Sequence, residues 1–394
     1  MVLGRGIGLS VQARMLPLEG LSLVALEQAI SAPPCTRYLY DLGAAVIKVE
    51  RPAGGDFGRD YDRAAGSVSS WFVWTNRGKR SLVLDLKDAT GRAYLEKLLA
   101  RADVFVENLA PGAVDRLGFG HQALRDRFPR LITCSISGYG DSGPYRDRKA
   151  FDLLLQGEAG VLAITGTPEA PAKVGMSVSD VSAGMFALSS LLAALLQRGR
   201  DGRGRHVEIS MLETTVEWLG GPLYYHLLTG KRPVRSGMRH PLIVPYGPYP
   251  ARDGLVNLAV QNDAQWAHFC SEVLERSDLT TDPRFNANAR RVANRGELEA
   301  LLEQCFAALS VSELEARLER ADVPFGRLNE LDDVAQHPQL LARDKFVEVL
   351  GPEGQPLRVL AQPFGLEGLP ERAGAVPALG QHTAEILGEL DQED

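Results

Sequence analysis

The feature that most constrains this chain is the alternation of short β-rich runs with helical stretches over its first two hundred residues. Residues 21–25 and 45–50 (AVIKVE) read as strands with a helical segment between them. The SLVLDL run at 81–86 is β-rich, 89–102 has helical spacing, and 103–107 (DVFVE) and 131–137 (LITCSIS) are short apolar strands. Strands and helices that alternate in this way build βαβ units, because parallel neighbours need a crossover long enough to return to the same end of the sheet. The predicted class is α/β with a mainly parallel sheet. A long apolar helix follows at 180–198 and is stopped by Gly199, Gly202 and Gly204. Beyond it, 206–211 reads as a strand and 212–228 as a helix. The composition then changes. Residues 231–250 carry five prolines and several basic side chains and read as a linker. A second region opens with a strand at 254–260 and continues as helices to about 328, and the tail returns to strand-like pieces at 346–350 and 357–360 and a last helix from Gly380.

A chain of 394 residues is long enough for two or three domains. Its 45% hydrophobic and 24% charged residues are those of a globular protein and exclude the disordered, collagen-like and coiled-coil classes. The net charge of −7 argues against a nucleic-acid partner, since basic side chains supply most of that affinity. The apolar run at 181–196 is shorter than the ~18 residues of a membrane span and contains three serines, so it reads as a buried helix with no membrane partner. Cys35, Cys134, Cys270 and Cys305 form no C-x-x-C pair, which suggests free thiols in a reducing, cytoplasmic setting. The seven histidines make no H-E-x-x-H pattern, so no metal is predicted. Residues 1–14 hold two arginines and no acid, lack the apolar core of a secretory signal, and read as an upstream extension of a domain that opens at Met15.

Three local features bear on chemistry. GYGDSG at 138–143 fits a dinucleotide-binding loop by spelling, but Pro144, Tyr145 and Arg146 follow where a helix should open, so it reads as a plain loop. Basic residues gather at 76–80 (NRGKR), with Arg51 and Arg116 near other strand ends. Open α/β sheets bind ligands at such ends, so these residues read either as solvated charge or as contacts to a phosphate-bearing cofactor. Asp180, ahead of the long helix, has two readings. Aspartate is a common helix N-cap. A carboxylate among small residues is also a nucleophile for a thioester carbonyl, if it is desolvated and oriented. Spacing alone leaves both open.

The chain resembles the class III CoA-transferases, the formyl-CoA transferase and CaiB/BaiF group, from about Leu18 to about Pro363. The motifs that carry the resemblance are GLSL at 20–23 with Ala32 and Pro33, LGAAVIKVER at 42–51, NxxKRSxxLDLK at 76–87, VENxxPGA at 106–113, RxxxGxG at 198–204, YGPY at 246–249 with Asp253 and Gly254, and Gln265 with Trp266. The resemblance implies a large Rossmann-like open-sheet domain, a smaller α/β domain and an interlocked homodimer. It divides the chain into 15–230 as the first part of a large CoA-binding domain, 231–328 as the small domain and 329–394 as a return to the large one. It implies transfer of CoA from an acyl-CoA to a free carboxylic acid with Asp180 as nucleophile, through an aspartyl anhydride and an aspartyl-CoA thioester. Contacts to coenzyme A, present as the acyl-CoA substrate, carry over to Ala29, Ser31, Arg51, Leu84, Asn108 and Arg116, and the acyl pocket to Ile30 and Tyr139. A glutamine and a lysine that formyl-CoA transferase uses fall here at Ile30 and Ser137, and its glycine-run loop has no counterpart, so formyl or oxalyl specificity is not implied. The alternative in the same fold is a 2-methylacyl-CoA racemase. Its histidine position matches Phe151, beside Asp152, which leaves a two-base proton transfer without its second base.

Overall fold

The computed structural model describes residues 15–392, so the reading of 1–14 lies outside the described residues. The chain forms two compact units. The first contains the described residues through Ala159, then 174–220 and the segment from Pro338 onward. The second contains 160–173 and 221–337.

In the first unit, β1 (Ser22–Leu26), α1 (Pro33–Asp41), β2 (Ala45–Glu50), α2 (Ser70–Asn76), β3 (Arg80–Val83), α3 (Ala89–Arg101), β4 (Val104–Glu107), α4 (Ala113–Arg116), α5 (His121–Arg127), β5 (Ile132–Ser137) and α6 (Asp152–Glu158) succeed one another. The short α7 (Val161–Ile164) belongs to the second unit. The chain then returns to the first through α8 (Val178–Asp201), β6 (His206–Ser210) and α9 (Met211–Leu219). Every pairing in the six-stranded sheet is parallel, in the order β3-β2-β1-β4-β5-β6. The winding reverses between β1 and β4. In open α/β sheets that reversal leaves a crevice at the carboxyl ends of the strands, where ligands bind.

Side chains alternate between the two faces of the sheet. Leu23, Val46, Val104, Val106, Ile132 and Ile136 pack on one side with Cys35 and Leu39 of α1 and Ala183, Ala187, Leu188 and Leu191 of α8. Val24, Val49, Leu82 and Phe105 pack on the other with Leu95, Leu98 and Leu99 of α3 and with Ile386 and Leu390 near the C-terminus. Burial on both faces explains why these strands read as near-continuous apolar runs. The antiparallel hairpin β10 (Phe346–Leu350) and β11 (Pro356–Leu360) also belongs to this unit, and the last helix, Thr383–Asp391, follows a segment that covers the outer edge of β3. Ser81 N donates to His382 Nδ1 at 3.1 Å and Val83 N to Thr383 Oγ1 at 3.1 Å, which closes an edge that would otherwise invite another chain.

Helix α8 is the central element of the site. At 24 residues it is long and apolar enough to cross a bilayer, so the length argument made from 181–196 does not hold. One of its faces packs against α1 and the sheet. Gly202 ends it in the left-handed conformation, with its N–H on Arg198 O at 2.8 Å. Leu191 is fully buried. Its replacement by alanine is expected to cost about 2–5 kcal/mol of stability, which urea unfolding would register.

The second unit holds α10 (Gly221–Thr229), β7 (Tyr246–Ala251), β8 (Gly254–Ala259), four helices or short helical turns, α13 (Arg295–Phe306), α14 (Val311–Arg320) and β9 (Phe325–Gly326), among others. Its sheet is antiparallel, in the order β7-β8-β9, over a core of Tyr249, Trp266, Phe269, Phe285, Leu298, Leu302 and Phe306. Two features differ from the sequence reading. The stretch 212–228 is two helices, because Gly220 takes φ +43° and breaks it, and the units divide there rather than at 231. The last part of the proposed linker is strand β7. Pro248 and Pro250 are accommodated because β7 lies on an edge, where a missing N–H breaks no ladder.

Candidate active site

The site assembles in the first unit around the turn that leaves β1. Ala29 sits at φ +56°, a left-handed conformation that a Cβ disfavours. Asn108, just past β4, holds this turn from one side. Its Oδ1 accepts from Gln28 N at 2.8 Å, and its Nδ2 donates to Gln28 O at 2.9 Å and to Ser31 Oγ at 2.8 Å. From the other side Asp56 Oδ1 accepts from Ala29 N at 2.9 Å. Ala29, Ser31 and Asn108, far apart in sequence, are therefore one structural feature. Beside it lies a cavity of about 240 Å³ lined by Gln28, Arg51, Asp56, Leu84, Lys87 and Leu117 among others. Arg51 is exposed and donates Nε to Gly55 O at 2.9 Å. Leu84 is buried. Arg116 is exposed, and its nearest partner is Pro111 O at 3.5 Å. It does not line this cavity, although its neighbour Leu117 does.

Asp180 is not the N-cap of α8. Ser177 occupies that position, and Asp180 lies in the first turn. The helix starts earlier because Asp152, on α6, supplies an acceptor from outside: its Oδ1 takes the N–H of Ser179 at 2.8 Å. Asp152 Oδ2 takes Gln156 Nε2 at 2.7 Å, and Gln156 Oε1 takes Val174 N at 2.9 Å, so the approach to α8 is fixed by a buried polar chain. Asp180 itself is half-buried, and among the described residues nothing donates a hydrogen bond to its carboxylate. Burial, aided by the charge of Asp152, pushes its carboxyl up to about 7. A carboxylate raised by burial and placed beside a cleft marks a candidate functional position.

Gly184 lies one turn further on, on the same face as Asp180. A Cβ there would meet Ser31 O at 3.0 Å, so α8 packs tightly against the 29–31 turn. Gly184→Val is expected to displace that turn and to cost about 1–3 kcal/mol of stability, which urea unfolding would register. Ile30, in the turn, is buried. Tyr139 is half-buried in the loop after β5, edge-on to Tyr145 with ring centres 5.5 Å apart. That loop runs on to α6 with no helix opening behind its glycines, as its sequence context indicates.

Beyond Leu109 lies a second cavity, of about 270 Å³, lined by Glu107, Asp115, His121, Ser137, Arg146 and His206 among others. Burial lifts Glu107 to about 7 and lowers His206 to about 4, and His121 stacks on His206 with ring centres 4.1 Å apart. Among the described residues, no three His, Cys, Asp or Glu side chains group as metal ligands.

The basic cluster at 76–80 has a different use from either one its sequence suggests. Arg77 and Lys79 are almost fully buried. Arg77 Nη1 meets Asp41 Oδ1 at 2.7 Å, while Lys79 Nζ meets Glu27 Oε1 at 2.5 Å and Pro33 O at 3.0 Å. These charges brace the protein from inside. Sequence reasoning missed Tyr61. This half-exposed phenol is pushed up to about 12 by burial and by the charges of Asp180 and Asp56. It stands in an edge-to-face series with Phe57, Trp71 and Trp74. An aromatic residue in an irregular loop carries no signal that separates this position from ordinary packing.

A parallel sheet of this order, with a crevice at its switch point and Asp180 in the first turn of α8, makes this an α/β protein with a candidate ligand site at the strand ends. Residues 18–383 match the model of CoA-transferase family III. The succinate–glutarate CoA-transferase of Agrobacterium fabrum is 34% identical, with 95% of this chain and 96% of that one covered. The acetyl-CoA:oxalate CoA-transferase of Acetobacter aceti is 36% identical, with 95% and 96% covered. The crystal structure of a CAIB/BAIF family protein from Brucella suis superposes with a TM-score of 0.84 at 35% identity, covering 96% of this chain and all of that one. The chain belongs to CoA-transferase family III and is a class III CoA-transferase.

Proposed function

We propose that this enzyme moves CoA from an acyl-CoA to a dicarboxylic acid through covalent intermediates on Asp180. The observation that carries the reading is the half-buried Asp180 carboxylate, which accepts no hydrogen bond among the described residues, on the helix face that abuts the 29–31 turn. An Asp180 oxygen attacks the thioester carbonyl, the C–S bond breaks, and CoA thiolate leaves an acyl-aspartyl anhydride. The thiolate attacks the aspartyl carbonyl and releases the donor acid, giving an aspartyl-CoA thioester. The acceptor carboxylate attacks that carbonyl and expels thiolate, which then attacks the new acyl group. Product acyl-CoA leaves and Asp180 is restored. Each step exchanges one acyl bond for another, so the thioester energy is conserved if water is kept out. The dicarboxylate preference is supported by the acids in the names of the Agrobacterium and Acetobacter relatives. CoA binding along the 240 Å³ cavity is supported by the exposed cations Arg51 and Lys87 on its rim and apolar Leu84 and Leu117 in its wall.

A homodimer is part of the proposal. Exposed Leu153, Leu154, Leu196 and Trp218 in the first unit, and Tyr224, Leu227 and Leu228 in the second, are the apolar surface a second copy would cover. Analytical ultracentrifugation at micromolar concentration should give a dimer mass; a monomer would remove this part.

The substrate claim is tested by incubating acyl-CoAs with mono- and dicarboxylic acids and reading new acyl-CoAs by mass spectrometry. Exchange confined to monocarboxylates would refute the dicarboxylate preference. A pH prediction also follows. Attack requires ionised Asp180, and burial sets its carboxyl at about 7. Below that pH, kcat/KM for acyl-CoA is expected to fall about tenfold per unit, with a plateau above about pH 8. A flat profile between pH 5 and 8 would rule out a raised carboxyl as the limiting group.

A further inference from the structure

We infer that Asp56 is a positioning residue for acyl-CoA binding: its carboxylate clamps Ala29 in the left-handed conformation that shapes the wall of the CoA cavity. The inference rests on the proposed function, in that this cavity receives acyl-CoA. Asp56 is buried and is fixed from several directions. Its Oδ1 accepts from Ala29 N at 2.9 Å and from Gly58 N at 2.8 Å. Its Oδ2 lies 2.9 Å from Lys48 Nζ. Its own N–H donates to Glu50 Oε2 at 3.0 Å, and Glu50 is gripped by Arg59 through bonds of 2.8 and 2.7 Å and by Ser81 Oγ at 2.6 Å. The carboxylate that meets Ala29 therefore cannot drift.

Ala29 needs such an anchor. Its φ of +56° opposes the preference of a residue with a Cβ, and the side chain bonded to its N–H is that of Asp56. The neighbouring peptide at Gln28 is held independently by Asn108 from β4. Two segments thus pin consecutive N–H groups, and the turn is formed before substrate arrives, which lowers the ordering cost of binding. Asp56 also lines the cavity. A role confined to stability would not require its carboxylate to bond the one strained residue of the turn.

The experiment compares D56N, D56A and D56A/A29G in the full-length enzyme, by KM for acyl-CoA and for the acid, CoA affinity by calorimetry, and Tm. Asparagine keeps the acceptor for Ala29 N but loses the charge facing Lys48. Its Tm is expected to fall while acyl-CoA KM stays within about threefold, because the turn is retained. D56A is expected to raise acyl-CoA KM and CoA Kd roughly tenfold or more, with the acid KM within about twofold. Glycine adopts φ +56° without strain, so A29G in the D56A background should recover at least about threefold of that affinity. An unchanged acyl-CoA KM in D56A, or losses that follow Tm across all three proteins with no recovery from A29G, would overturn the inference. If D56A does not fold, D56N decides the matter: acyl-CoA KM raised in step with its Tm loss overturns the clamp, and stability lost with affinity kept supports it. An inactive Asp180→Ala beside a normal D56A would remove only this inference, whereas an active Asp180→Ala would remove the proposed function whatever Asp56 does.

Discussion

Asp180→Ala is expected to reduce CoA transfer by roughly 10⁴-fold or more while acyl-CoA binding stays within a fewfold of the parent, because removal of a covalent nucleophile abolishes the route rather than the site. Stopped-flow turnover together with calorimetric CoA affinity separates the two. The same position should show a stability gain. Burial pushes the folded carboxyl up to about 7 from an ordinary value of 3.8. A folded pKa raised in this way contributes stability below the unfolded value and loses it as pH climbs through the folded one. At pH 8 the ionised carboxylate therefore weakens the fold. The full shift corresponds to about 4 kcal/mol, and partial exposure reduces that to on the order of 2 kcal/mol. Asp180→Asn should thus raise Tm by a few degrees at pH 8 and by little at pH 4. An equal Tm change at both pH values would contradict a desolvated carboxylate.

The second large effect belongs to Glu27. Its carboxylate is buried between Lys79, at 2.5 Å, and Lys48, at 3.5 Å, and also accepts Thr36 Oγ1 at 2.7 Å. Burial alone would raise its carboxyl, but the two ammonium groups overcome this and hold it below the ordinary carboxylate range. Lys48 Nζ also reaches Glu27 O and Asp56, so the cluster ties the ends of β1 and β2 to the loop that carries Asp56. Glu27→Ala would leave two buried lysines facing each other and a cavity between them. A loss of about 3–5 kcal/mol is expected, measured as a lower urea midpoint. Glu27→Gln should lose less, because the amide oxygen still accepts a hydrogen bond. A midpoint for Glu27→Ala equal to that of the parent would mean that the network is dispensable.

Much of the sheet was legible because its physics is local. AVIKVE at 45–50 and FVEVL at 346–350 are the strands observed, residue for residue. Both carry β-branched residues between turn signals, the first in a parallel sheet buried on both faces and the second in a half-exposed antiparallel hairpin, so local propensity marks each as a strand. The end of α8 at Gly202 was visible for the same reason. Its start was not. The sequence points to Asp180, whereas the helix begins at Val178 because Asp152, distant along the chain, takes an N–H that a local cap would otherwise take. Long-range pairing also defeated the reading of Arg77 and Lys79. A basic run resembles a surface or a phosphate contact until the partners, Asp41 and Glu27, are seen to arrive from other elements. The break at Gly220 was hidden inside an apolar stretch that is helical on both sides. At the site, composition alone left Asp180 between cap and nucleophile. The resemblance favoured the nucleophile, and the structure removes the cap. Tyr61 has no counterpart in that reasoning, since the influence of Asp180 on it is set by the fold of an irregular loop.

The central claim is that position 180 is transiently acylated. Enzyme incubated with acyl-CoA, quenched with hydroxylamine and digested should yield a peptide in which Asp180 has become a hydroxamate, and the omission of hydroxylamine should leave a CoA adduct on that same residue. Continued transfer with an unmodified Asp180 peptide, or an adduct on any other side chain, would contradict the account.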